Sequence, residues 1–382
     1  MKKLSRKDVK LKESNLGKFV MSSFILGAES ISGNIWNYSM AFFKKTAVFA
    51  LVALPLAVGL HSDVAEEKSP AEAFSFALWG DMPYVKNNDG PKIQALIDDI
   101  NASTIEFSVF DGDIKDGSSP CNALQYSTAA DRFNQFKKPM VYVLGDNEWC
   151  DCHRTNSGGY NSLERLKYLR QVMFNTPESF GQEKMELEHQ GELAGEYAEN
   201  VRWIYSNIMF VGLNIPGSNN NKVSADDCIS DKTTRTQTDC DADNSEYKAR
   251  DAANIKFVKD SFQKAKAINS RGLVITIQAD PSFDLPETKS VNERMLPGFD
   301  GYTAFLDVLA EETSHFVGEV LLVHGDVHFF KVDKPLLDQA HLIKNFTRVE
   351  TFGSPNVHWV KVSVNPEGRN LFTFEPMMVP NN

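Results

Sequence analysis

The stretch Val320-Leu321-Leu322-Val323-His324-Gly325-Asp326-Val327-His328 passes from an apolar run straight into a polar turn. A run with no polar alternation is expected of a strand buried on both faces. A glycine in the turn allows sharp bending and close approach to the backbone. The same arrangement recurs upstream. Phe74–Trp79 leads into Gly80-Asp81, Ile105–Phe110 into Asp111-Gly112-Asp113, and Met140–Leu144 into Gly145-Asp146-Asn147-Glu148. Ile208–Leu213 leads into Asn214, and Leu273–Ile277 into Gln278-Ala279-Asp280.

Helical periodicity fills the spaces between these runs. Ile93, Leu96, Ile97 and Ile100 share one face of a helix over 92–100. Leu163, Leu166, Leu169 and Val172 do so over 163–173, and Ile255, Val258, Phe262 and Ala265 over 252–267. Strands alternating with helices define an α/β layered fold. The tail from Arg348 onward reads as further strands, with turns at Gly353-Ser354-Pro355 and Pro366-Glu367-Gly368. Residues 214–245 are polar and are expected to form a long surface excursion.

In open α/β sheets the carboxyl ends of the strands line the ligand crevice. A lone Gly-Asp after a strand is ordinarily a turn or a helix cap. A series of them in order, closing on His-Gly-Asp-x-His, instead gathers carboxylates and imidazole on one edge, where a cation is needed to hold them together. Oxygen ligands suit Mg²⁺, Mn²⁺ or Ca²⁺, and imidazole suits Zn²⁺ or Fe. The chain has no Gly-x-Ser-x-Gly elbow and no phosphate-cradling loop ending in Gly-Lys-Ser/Thr.

The ordered blocks Gly80-Asp81, Gly112-Asp113, Gly145-Asp146-Asn147-Glu148 and His324-Gly325-Asp326-Val327-His328 resemble those of the calcineurin-like metallophosphoesterases. The resemblance spans most of 74–331. It implies a four-layer α/β/β/α sandwich with a centre of two divalent metal ions (Mn, Fe, Zn or Mg) and a small phosphorylated substrate hydrolysed as a monoester or diester. It places Asp81 and His328 on one metal, Asp113 between the two and Asp146 on the other. Several blocks depart from the pattern. Met82-Pro83 follows Asp81 where the family has a histidine two residues on, and Asn147 stands for the third-block histidine. Gln278 stands near the position of another histidine, and Asp326 replaces the first histidine of the last block. Gln278 and Asp326 are therefore further metal-ligand candidates. Asn147 keeps a hydrogen-bond donor but no transferable proton; His324 or His153 is the candidate replacement for that proton. Tyr84 and Trp149 are candidates to wall the substrate pocket, and Arg154 to clamp a phosphate. Loss of the histidines equally fits a catalytically degenerate fold that binds a ligand or partner.

The net charge of −11 disfavours binding along a nucleic-acid backbone. Residues 1–73 read as an upstream extension and export signal, with the natural start at Met40, Lys44-Lys45, and an uncharged run over 46–60 that is short for a membrane span. Residues 74–382 then form the phosphoesterase-like domain, periplasmic or secreted, with no stable membrane span once the signal is cleaved. Five cysteines agree with export. Cys228 and Cys240 bracket a polar stretch that a bridge would order, and Cys121 is expected to pair with Cys150 or Cys152.

Overall fold

The computed structural model describes residues 72–283, 298, 300–338 and 341–382. The expected export signal and start at Met40 lie outside these residues. Among the described residues no helix is long and apolar enough to cross a membrane.

Two sheets form the centre. In the first, of order β14-β13-β1-β2-β3, β1 (Phe74–Trp79), β2 (Ser108–Phe110) and β3 (Met140–Tyr142) run parallel. β13 (Trp359–Val364) and β14 (Phe372–Met377) add antiparallel strands beside β1. The second has the order β4-β5-β6-β7-β8-β12-β9. Its parallel core is β6 (Ile208–Gly212), β7 (Gly272–Thr276), β8 (Glu319–His324) and β12 (Phe346–Glu350). Antiparallel strands flank it: β4 (Glu188–His189) and β5 (Val201–Tyr205) on one side, β9 (Lys331–Asp333) on the other. A separate hairpin pairs β10 (Leu337–Asp338) with β11 (His341–Leu342).

Side chains alternate across each strand, so every central strand serves two layers. Phe76 and Leu78 of β1, with Phe107, Val109 and Val141, face Trp203, Phe210, Val274, Leu321 and Val323 of the other sheet. The intervening residues Ala77 and Trp79 turn outward to α1 (Gly90–Ala102), α2 (Ala123–Phe133) and α3 (Ser162–Met173). On the far side, Leu273, Ile275, Val320 and Leu322 pack beneath α4 (Gln237–Ala267) and α5 (Thr303–Ser314). The result is the four-layer α/β/β/α sandwich. Burial on both faces is why the strands lack polar alternation.

One expectation needs correction. The polar excursion over 214–245 is not all loop, because α4 begins at Gln237 rather than near residue 252. Its first turns lack an apolar stripe and are held by other means. Thr236 and Asp239 form a reciprocal capping box, and Cys240, in the first turn and a half, is bridged to Cys228. Asp243 pairs with Arg235 at 2.8 Å, and Glu246 with the buried Arg250 at 2.6 Å. Polar residues that solvate a helix in a loop-like sequence here anchor it. The second bridge joins Cys121 to Cys152, leaving Cys150 as a buried free thiol.

Phe107 sits where the two sheets meet, stacked on Phe76 at 5.3 Å and edge-on to Phe210 at 5.1 Å. Phe107→Ala is expected to destabilise the domain by about 3–5 kcal/mol, read as a lower denaturation midpoint in urea with an unchanged slope.

Candidate metal centre

The parallel strands of both sheets end on one edge, and the motif turns follow them there. Asp81 succeeds β1, Asp113 follows β2, Asp146 and Asn147 follow β3, Gln278 follows β7, and Asp326 and His328 follow β8. The backbone is bent hard at these turns. Asp81, Asp113, Asp326 and His328 have φ of 50°, 62°, 74° and 66°, in the left-handed region. Such conformations cost of order 1–3 kcal/mol each and concentrate at functional sites. The packing behind them is close. A Cβ on Gly325 would stand 1.9 Å from Asp81 Oδ2, so only glycine lets Asp326 N–H donate to that oxygen at 3.0 Å.

Asp113 is the hub. Its Oδ2 accepts from the Tyr84 hydroxyl at 2.9 Å and from the Asn147 amide, and its Oδ1 accepts from the Asn147 backbone N–H at 3.1 Å. Burial, then the charges of Asp146, Glu148, Asp81 and Asp326, push its carboxyl well above the usual range. The same forces raise Asp326. His328 holds Nδ1 at 2.7 Å from the Ser354 carbonyl and turns Nε2 to within 3.4 Å of Asp81 Oδ1. That approach is an ion-pair contact without hydrogen-bond geometry, so the buried Oδ1 has no hydrogen-bond partner. Burial lowers the imidazole pKa, but Asp81 overrides it and carries it to about 9.

Gln278 is fully buried, accepting from Gly217 N–H at 2.6 Å and donating to Asp326 at 3.4 Å. It thus positions Asp326, with its carbonyl oxygen already engaged. Gly217 marks where two carboxylates converge: a Cβ there would lie 2.7 Å from Asp146 Oδ2 and 3.0 Å from Asp326 Oδ1. The next four residues, Ser218, Asn219, Asn220 and Asn221, all have φ between 48° and 59°. This left-handed turn is pinned from behind. Arg250, fully buried, donates to Asn220 Oδ1 at 2.6 Å and to its carbonyl at 2.9 Å, and Asn220 N–H donates to the Tyr302 hydroxyl at 3.1 Å. It aims the Ser218 hydroxyl between Asp146 Oδ2 and Asp151 Oδ1, each 2.8 Å away. One hydroxyl proton serves only one of them. Burial, then Asp146, lift the Asp151 pKa to about 7, against the opposing pull of Arg154 and the Ser218 hydroxyl.

Arg154 pairs with Asp151 at 2.7 Å, and its side chain is 41 % exposed. Its Nη1 and Asn147 Oδ1 converge on Gly117, where a Cβ would lie 3.2 and 2.7 Å from them. Beyond it opens a cavity of about 620 Å³ whose lining includes Asp151, Arg154, Ser218, Lys222, Lys232 and Arg235. Arg154 therefore stands between the carboxylates and that cavity.

Two sequence candidates fall elsewhere. Trp149 is fully buried in the core between the first sheet and its helices, with the Arg250 guanidinium 5.2 Å over its ring, so it walls no pocket. His324 leaves β8 on the face opposite Val323, toward the outer helices, and its neighbours are Asp280 and Glu350. It is therefore not placed to deliver a proton at Asp113. His153 lies in the cavity lining, with Nδ1 2.6 Å from the Thr233 hydroxyl.

Several residues with a part in the site carry no assigned role in the sequence reading. Glu148 closes the third turn, its Oε1 accepting from Gly145 N–H at 2.7 Å and Tyr142 OH at 2.9 Å. Lys115 is a buried cation near Asp113, Glu148 and Asp151, its pKa lowered by burial against their attraction. Asp111 accepts from Thr351 at 2.7 Å and leaves Oδ1 without a hydrogen bond. Asp111 and Lys115 immediately flank the second block, which was the available signal.

The donor set fits divalent cations. Four aspartates and one histidine follow strands to this edge, although among the described residues no three of them bring ligand atoms within 4.8 Å of one another. A buried Asp81 oxygen lacks any hydrogen bond, and His328 is held through Nδ1 with Nε2 toward Asp81. Burial, then the neighbouring carboxylates, raise the Asp113 and Asp326 carboxyls, as expected of ligands awaiting positive charge.

No protein-family model matches the chain, and no curated protein matches its sequence. Solved structures with a similar chain path include PhoD, at 10 % identity and a TM-score of 0.44, covering 81 % of this chain and 70 % of that one. A purple acid phosphatase from yellow lupin seeds matches at 10 % identity and 0.44, covering 81 % and 55 %. GAP50 of Plasmodium matches at 12 % and 0.39, covering 81 % and 90 %. At these identities the likeness is one of fold.

The cavity wall yields a pH test. Burial, then Arg235 and Arg154, depress the His153 pKa to about 3. The unfolded chain binds the proton first, so this residue's contribution is complete above about pH 6.5 and is lost as pH falls toward 3. His153→Gln is expected to lose less thermal stability than the parent between pH 7 and pH 4, measured by melting in matched buffers.

Proposed function

We propose that the protein is a metal-dependent phosphoric ester hydrolase whose ligands are Asp81, Asp113, Asp146, Asp326 and His328. The supporting observation is the convergence of these acidic side chains at the C-terminal edge of both sheets, with Asp113 raised by burial and then by the negative charge around it. The reading agrees with the motif resemblance and with the four-layer fold. When bound there, divalent cations supply charge neutralisation on phosphoryl oxygens and a water acidic enough to act as nucleophile near neutral pH.

The chain's own residues perform the remaining work. Asp81 and His328 act as one pair, 3.4 Å apart. Tyr84 and Asn147 hydrogen bond to Asp113 and fix its orientation. Arg154 presents a forked donor beside Asn147, at the mouth of the cavity, suited to two phosphoryl oxygens. Ser218 donates to Asp146 at 2.8 Å and fixes its orientation. The cavity receives the non-reacting part of a small phosphorylated substrate. Its two disulfides suit an oxidising compartment, and we place the protein outside the cytoplasm, in the periplasm or secreted.

Asp113→Asn is expected to abolish metal-dependent hydrolysis of a chromogenic phosphate monoester or diester and to reduce bound metal. Turnover retained in that variant, with metal content undiminished, overturns the assignment. Arg154→Ala is expected to raise KM by about 10- to 100-fold, the loss of a charged hydrogen bond worth ~1.5–3 kcal/mol, with the metal content unchanged.

A further inference from the structure

Strands β7, β8 and β12 end side by side, and a second polar cluster lies on the helix-facing side of their tips. His324 and Glu350 are register partners on parallel strands, and Asp280 follows β7. The ligand atoms of the three lie within 4.8 Å of one another, and this is the group with that spacing among the described residues. We propose that Asp280, His324 and Glu350 form a cation site separate from the Asp113 centre, one that takes a divalent metal of zinc's class.

The histidine carries the argument. His324 is fully buried, and its Nδ1 lies 3.0 Å from the Gly325 carbonyl. That bond places the proton on Nδ1 and leaves Nε2 with a free lone pair. Nε2 has no hydrogen-bond partner, and the ring lies beside two carboxylates, a ring nitrogen within 4.8 Å of an oxygen of each. Three acceptors facing one another call for a cation between them. The spacing, at most 4.8 Å, admits an ion whose tetrahedral ligands stand ~3.4 Å apart with bonds of ~2.1 Å.

Neighbouring cations answer the charge only in part. Lys331 Nζ reaches Glu350 Oε2 at 2.8 Å, an ion-pair contact without hydrogen-bond geometry. Glu350 Oε1 accepts from Phe329 N–H at 2.9 Å. Arg348 is committed to Asp333 through Nε at 2.7 Å and stands 3.8 Å from Asp280. Neither cation touches His324 Nε2. One imidazole and two carboxylates form the ligand set of a three-coordinate zinc site with an open position. Calcium, which takes six to eight oxygens, is poorly served here. A bound ion would tie three parallel strand ends together. It would also reach the other centre through Asp280 N–H, which lies 3.3 Å from Asp326 Oδ2.

The test is zinc stoichiometry by elemental analysis after equilibrium dialysis of the folded chain. Glu350→Gln and Asp280→Asn, both close to isosteric, are each expected to lose about one equivalent relative to the parent, with an unchanged circular dichroism spectrum. Asp113→Asn is expected to lose zinc independently, so that the losses add in the double variant. Because the readout is metal content at a different residue set, it is separate from the hydrolase assignment. Full zinc content in both carboxylate variants overturns the proposal. If either variant fails to fold, Co²⁺ added to the Asp113→Asn chain decides: a strongly contact-shifted His324 ring resonance, which requires direct ligation, supports the site, and its absence with Co²⁺ bound refutes it.

Discussion

Like charges crowded into a space poor in water govern the architecture at the sheet edge. Two sheets deliver aspartates to one place, and burial alone would drive those carboxyls to hold protons. The surroundings are built to resist that. Lys115 lies beneath as a buried cation, Tyr84 and Asn147 hydrogen bond to Asp113, and His328 is drawn toward protonation by Asp81. Backbone strain at four of the site's residues is held by the same sheets whose aromatic interface forms the middle layer of the core. The core is thereby rigid where the site is strained, an arrangement that lets a site store unfavourable geometry.

Strand β8 shows how one short sequence can serve two ends. Period-2 alternation sends Val323 into the sheet interface and His324 toward the outer helices, while the turn beyond carries Asp326 and His328 back to the carboxylate centre. His324 and His328, read together in the motif, therefore belong to different sides of the sheet. The pleat separates residues that the sequence places almost in contact.

Much of this is legible in the amino-acid sequence. The apolar runs over 74–79, 208–213 and 320–323 located central strands because burial on both faces leaves a composition that few other environments tolerate. The motif aspartates were legible because each follows such a run. Helix α2 was not, since Tyr126, Ala129 and Phe133 provide its whole buried face among polar residues, and β5 and α5 were likewise passed over. The front of α4 escaped because a capping box, a disulfide and ion pairs replaced apolar periodicity. Within the site, Ser218, Asp151 and Lys115 carry no motif: tertiary packing alone brings Ser218, 72 residues distant in sequence, to Asp146. Trp149 and His324 were misplaced because sequence adjacency to a motif says nothing about which face a side chain takes.

The left-handed run from Ser218 to Asn221 has a further bearing on how this protein can diversify. Left-handed helical geometry costs roughly 1–2 kcal/mol per ordinary residue, and asparagine is among the few side chains that tolerate it. Branched replacements there would unseat the chain before they altered what it recognises. Selectivity for new ligands must therefore be acquired on the opposite bank, along 153–156 and 230–235, where the backbone of the cavity wall carries no run of left-handed residues. The segment acts as a fixed jig, and the variable tooling is mounted across from it.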